Sequence, residues 1–142
     1  RSTRVRSSAA SDVYKRQEKD LKENQPRLLA VDNAVYVPVN KVVKVMITAN
    51  DVLHAWALPS FGVKRDAIPG RINETWFKAD RTGTFYGQCS ELCGIKHAFM
   101  PITVNVVSED EYNKWLEEAK VKFAKEEINN NIKVAKKIKE IQ

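Results

Sequence analysis

Residues 42–49 read VVKVMITA. In an extended chain Val43, Val45, Ile47 and Ala49 fall on one side and Lys44 and Thr48 on the other, the period of two that a half-buried strand requires. The neighbouring texture is similar. LLAVD (28–32) and AVYVP (34–38) precede it, with Asp32-Asn33 supplying a turn. TWFKAD (75–80) and TFYGQ (84–88) follow, separated at Arg81-Thr82-Gly83 by a hairpin-like break, and ITVNVV (102–107) is a further strand. Between them ALPSFGVKRDAIPGR (57–71) is rich in Pro and Gly and reads as a long ordered loop. A run of short strands with no helical period between them predicts an all-β sandwich or small barrel over residues 28–108.

The period changes at Ser108. Ser108 and Glu111 match a capping box, and Tyr112, Trp115, Leu116, Ala119 and Phe123 then recur at helical spacing. Residues 109–142 are therefore expected to be a helix that packs its first turns on the sandwich. Beyond Glu126 the lysine-rich, weakly amphipathic sequence is expected to be a solvated, partly frayed tail. On the other side, residues 18–27 (EKDLKENQPR) are polar and read as a linker.

The chain has 142 residues with a formal charge of +6 and a pI near 9.3, which invites a nucleic-acid reading. The distribution of charge removes that reading. Five basic residues (Arg1, Arg4, Arg6, Lys15, Arg16) and one acid (Asp12) lie in residues 1–17, and the segment 109–142 is balanced. The string SSAASDVYKRQ (7–17) resembles a reading-frame translation of a transposase-type sequencing adapter. Residues 1–17 are accordingly expected to be disordered and foreign to the fold, and no nucleic-acid partner is expected. No apolar run approaches the ~18–20 residues of a membrane span; any N-terminal anchor would lie upstream.

Chemistry concentrates in GQCSELCGIKHAFMP (87–101), where Cys89, Cys93, His97 and Met100 are spaced four, four and three apart. His54, in DVLHAWALP (51–59), is the other histidine. Every Cys and His of the chain is thus engaged, together with one of two Met. Taken singly, His54 reads as a packed or surface residue, Met100 as core filler, and the cysteines as a disulfide, a redox pair or half a zinc site. Together, two thiolates, two imidazoles and a thioether form a soft-to-borderline donor set that favours copper over magnesium, calcium or manganese. One Cys suffices for a mononuclear blue-copper site. The second has a use if two sulfurs bridge two metal ions.

GQCSELCGIKHAFMP and DVLHAWALPSFGVKRDAIPGR together resemble the copper-binding domain of the cytochrome c oxidase subunit 2 family, over roughly residues 28–115. The resemblance implies a cupredoxin-like Greek-key sandwich with a dinuclear CuA centre. It implies that Cys89 and Cys93 bridge two copper ions, that His54 and His97 each ligate one of them, that Met100 is a weak axial ligand, and that Glu91 lends its backbone carbonyl. The Glu91 carboxylate would also help bind magnesium at the junction with subunit 1, where Asp66 lies in the facing loop. Asp32 and Asp51 would help dock cytochrome c, and either reads equally well as an ordinary turn residue. Trp56 would shield the site or simply fill the core.

The implied activity is that of the electron-transfer subunit of a proton-translocating oxidase. Electrons would pass from cytochrome c through the copper pair to haem in subunit 1, where oxygen is reduced to water; the fragment alone would not be catalytic. Further oxidase subunits would be partners. In the family, two membrane helices and an aromatic segment thought to receive the electron precede this region. The full-length protein would thus sit in a bacterial inner membrane with this domain facing the periplasm. The alternatives are the CuA domain of nitrous-oxide reductase, a copper-delivery or thiol-redox protein of alternating β and α segments, and a metal-free sandwich with a Cys89–Cys93 disulfide.

Overall fold

The structure, a computed structural model, describes the backbone of residues 2–4 and 26–139 and the side chains of 26–124. Eight strands are described: β1 (Ser2–Arg4), β2 (Val35–Pro38), β3 (Val42–Ile47), β4 (His54–Leu58), β5 (Val63–Ala67), β6 (Asn73–Lys78), β7 (Gly83–Cys89) and β8 (Pro101–Val107). They form two sheets, ordered β1-β3-β6 and β2-β8-β7-β4-β5. Pairing is parallel for β1–β3 and β2–β8 and antiparallel elsewhere. The fold is the expected all-β, cupredoxin-like sandwich followed by one C-terminal helix. The chain divides into two compact units, Arg1–Ser108 and Glu109–Gln142.

The alternation in β3 is realised as the sequence dictates. Val43, Val45, Ile47 and Ala49 are buried, and Lys44 points outward to Glu74 at 2.7 Å. Their inner face meets Val37, Trp56, Leu58, Ala67, Phe77, Val104 and Val106 in one core. Aromatic rings continue it: Phe61 packs on Phe77 at 4.7 Å and on Phe85 at 4.8 Å, and Trp56 stacks on Phe77 at 6.2 Å. Trp56 is therefore a core residue.

Three local expectations are corrected. LLAVD (28–32) is not a strand: the amides of Leu29 and Ala30 turn back to the Pro26 carbonyl, and Leu28 takes a positive φ of 64°. The span 57–71 is not all loop. It contributes the end of β4 and the whole of β5, joined by a 3-10 turn at Pro59–Phe61 that Gly62 closes with φ 64°. β4 is buried along nearly its whole length, so it lacks alternation, while β5 is an edge strand whose Lys64, Arg65 and Asp66 face solvent. Finally, Arg81-Thr82-Gly83 does not close a hairpin. β6 pairs with β3 and β7 with β8 and β4, so this segment crosses between sheets.

Ser2–Arg4, inside the segment expected to carry no fold, runs as a short strand along the free edge of β3. An edge strand offers unpaired N–H and C=O groups to any extended segment. The remainder of residues 1–17, and of the linker all but Pro26 and Arg27, lie outside the described residues. In the second unit, α1 (Glu109–Lys139) runs unbroken past Glu126, where fraying was expected. It contains no Gly or Pro, and Glu109, Asp110 and Glu111 complement the dipole at its first turn. Among the described residues no helix is long and apolar enough to cross a membrane.

Candidate metal centre

Two neighbouring strands deliver the site. His54 opens β4 and Cys89 closes β7, and the two strands pair in antiparallel register with Trp56 opposite Cys89. The pairing reaches into the loop, where the Ser90 amide donates to the Ala55 carbonyl at 3.1 Å. Gly87 permits this closeness. A Cβ built there collides with the Ala57 carbonyl oxygen and lies 3.1 Å from Leu58 Cδ1.

Residues 90–100 fold back over the strand ends. The Cys89 amide donates to the Met100 carbonyl at 3.1 Å, closing the loop at its base. Gly94 turns it with φ 116°, and a 3-10 turn at His97–Phe99 brings His97 and Met100 round to the cysteines. Within this turn the His97 amide donates to Gly94 and the Phe99 amide to Lys96.

The donor atoms follow one another in a chain of contacts that folds into a compact cluster. His54 Nδ1 is 3.9 Å from Cys89 Sγ, the two sulfurs are 3.9 Å apart, and Cys93 Sγ is 3.5 Å from His97 Nδ1. Met100 Sδ stands 3.4 Å from Cys93 Sγ, and the Glu91 carbonyl oxygen 3.3 Å from Cys89 Sγ. The ligand atoms of His54, Cys89 and Cys93 are all within 4.8 Å of one another. Both cysteines are free thiols, far beyond the ~2.05 Å of a disulfide. The six candidate copper ligands thus converge, and their soft-to-borderline nitrogen and sulfur donors fit copper.

The protonation chemistry follows from the surroundings. Asp51 Oδ1 accepts a hydrogen bond from His54 Nε2 at 2.8 Å. That fixes the tautomer, with the proton on Nε2 and the Nδ1 lone pair turned towards the sulfurs. The same bond holds the Asp51 carboxyl below the usual carboxylate range. Burial and the adjacent Cys89 sulfur push the Cys93 thiol up to about 11. Without metal both effects keep the thiol protonated at neutral pH.

Other singled-out residues lie outside this cluster. Asp32 is exposed in the bend before β2. Asp66 presents its side chain to solvent from β5, while its backbone carbonyl accepts from the buried Asn73 Nδ2 at 2.7 Å. The Glu91 side chain is exposed, and among the described residues no group of three His, Cys, Asp or Glu ligand atoms gathers around it. Asp51 as the partner of His54 was not anticipated; its only signal is a carboxylate three residues before a candidate ligand. The loop also presents two apolar side chains to solvent, Leu92 at 82% and Ile95 at 100% exposure.

Comparison with known proteins agrees with the donor set. A family model described as cytochrome c oxidase subunit II, periplasmic domain, matches residues 5–107. Cytochrome c oxidase subunit 2 of Cereibacter sphaeroides is 62% identical over 93 residues, covering 66% of this chain and 31% of that protein. The chain thus spans about a third of that relative's length. The crystal structure of the periplasmic domain of cytochrome oxidase subunit II from Bradyrhizobium japonicum superposes with a TM-score of 0.68 and 68% identity, over 70% of this chain and 72% of that one. A mixed disulfide intermediate between a thioredoxin-like protein and subunit II of cytochrome c oxidase matches with a TM-score of 0.62 and 64% identity, over 72% of each chain.

Proposed function

The chain belongs to the cytochrome c oxidase subunit II family, and from that premise we propose that it carries the electron-transfer centre of a haem–copper oxidase. The observation that carries the reading is the cluster of donors linked by contacts from His54 Nδ1 through Cys89 Sγ and Cys93 Sγ to His97 Nδ1. Each imidazole faces its own sulfur, and each end has a weak extra donor, the Glu91 carbonyl beside Cys89 and Met100 beside Cys93. Six donors are more than one tetrahedral ion uses, and they would be enough to hold two copper ions.

Copper held there would supply one-electron redox chemistry. The chain's own part is to keep the ligands in one geometry for both redox states. The β4–β7 pairing fixes His54 against Cys89, the closed loop fixes Cys93, His97 and Met100, and Asp51 orients His54. Electrons would arrive from a cytochrome c with a basic face, drawn by exposed carboxylates including Asp32 and Asp51, and leave towards haem in subunit 1. Glu91 would contribute one ligand to a magnesium ion completed by that partner. The domain would face the periplasm of a bacterial inner membrane, anchored by helices elsewhere in the full-length protein.

The thiol-redox alternative needs alternating β and α segments, and no α-helix occurs among the described residues 26–107. The subunit II match over residues 5–107 favours the oxidase over nitrous-oxide reductase. The thioredoxin-like partner of the matched subunit II suggests a route by which Cys89 and Cys93 would be kept reduced for loading. Copper titration of the reduced chain tests the proposal. Saturation at two copper ions per chain, falling on Cys89→Ser, is expected; saturation at one, unchanged by Cys89→Ser, contradicts it.

A further inference from the structure

The two imidazoles are not supported alike. His54 is buried at 4% exposure, sits on a strand, and is braced by a carboxylate on its far nitrogen. His97 lies in a three-residue 3-10 turn within an eleven-residue loop between β7 and β8 whose tip is open to solvent. So short a turn cannot satisfy its own last carbonyls, and its internal geometry is weak.

Gln88 supplies what the turn lacks. It stands next to Cys89 in β7, and its Nε2 donates to the Ala98 carbonyl at 2.7 Å. Ala98 follows His97 and precedes Met100 by two residues. The bond therefore ties the segment bearing His97 and Met100 to the strand that ends in Cys89. Gln88 itself is pinned by pairing on both sides, to Ala57 of β4 and to Pro101 of β8. Its side chain is thus a strut from a rigid sheet to the turn.

We propose that Gln88 is a positioning residue for the metal centre: through the Ala98 carbonyl it sets where His97 and Met100 stand relative to Cys89 before metal arrives. The inference rests on the copper-binding reading above. A hydrogen bond behind the metal ligands costs about tenfold or more in affinity when lost. Gln88 is exposed and outside the core, so its loss should spare the fold.

The test compares the full chain with Gln88→Leu, which keeps bulk but has no donor, Gln88→Glu, which keeps shape but turns an acceptor on the carbonyl, and Gln88→Arg, which restores a donor. Reduced protein is titrated with copper(I) against a chelator, and the copper–thiolate absorption of the loaded protein is recorded. Gln88→Leu and Gln88→Glu are expected to weaken copper binding about tenfold and shift the absorption, with unchanged circular dichroism and thermal midpoint, while Gln88→Arg returns both towards the unaltered chain. Unchanged affinity and absorption in Gln88→Leu and Gln88→Glu, or equal losses in all three variants, overturns the inference and leaves the copper reading intact. Failure of the unaltered chain to bind copper overturns both.

Discussion

Asp51 carries two assignments that one pair of substitutions separates. Its carboxylate accepts from His54 Nε2 and is also half exposed, so it has both an orienting and a charge role open to it. Asp51→Ala removes the acceptor and is expected to lower copper affinity about 10–100-fold, read by chelator competition. Asp51→Asn keeps an acceptor but no charge, so it should retain most of that affinity while slowing reduction by a basic cytochrome c. The bond also has a pH signature. The Asp51 pKa lies below its unfolded value in the folded chain. Its stabilisation is therefore present above the unfolded value and is lost as pH falls through the folded one. Acid unfolding of Asp51→Asn should lack that component. Cys93 acts in the opposite pH range, because its thiol, pushed up to about 11, must release a proton to bind metal. Copper affinity of the reduced chain is expected to rise with pH from 6 to 9, by up to about tenfold per unit for each proton displaced. At this scale the clustering of the Cys and His residues was legible, because scarce Cys and His at loop spacing have few other uses. Asp51 and Gln88 were not, since a hydrogen-bond partner is defined by where the chain brings it and not by its residue type.

Between elements, the decisive contact is the approach of β7 to β4. Gly87 leaves no room for a side chain beneath the Ala57 carbonyl, and Cys89 and His54 depend on the same strand pair. Gly87→Ala should cost about 1–3 kcal/mol in denaturant unfolding and weaken copper binding as well, because the strands must part to admit the methyl. Leu58→Ala, at a position fully buried in the core, should cost about 2–5 kcal/mol with little change in the copper spectrum of the protein that remains folded. The legible strands are those with one buried face, as β3 shows. β4, buried along nearly its whole length, and β5, polar at an edge, offer no alternation, and the loop expected over residues 57–71 takes in the end of the first and the whole of the second. LLAVD has strand composition, yet capture of the Pro26 carbonyl by two amides made it a turn. The crossing between β6 and β7 was misread because a short Gly-bearing link looks the same whether its strands pair or part.

For the whole molecule, charge is distributed so that the end bearing the Cys–His cluster carries exposed Asp51 and Glu91 along with apolar Leu92 and Ile95, while the formal charge of +6 owes most to residues 1–17. Reduction of the copper-loaded chain by a basic cytochrome c should therefore slow several-fold as ionic strength rises from 0.01 to 0.15 M, in line with charge-steered encounter. Asp32→Asn should reduce that salt dependence without altering copper affinity. All of this presupposes that the cluster of nitrogen and sulfur donors holds two copper ions as one electronic unit. Electron paramagnetic resonance of the copper-loaded, partly oxidised chain tests it most directly. A hyperfine pattern from one electron shared over two copper nuclei is predicted; the pattern of a single isolated Cu(II) would contradict it.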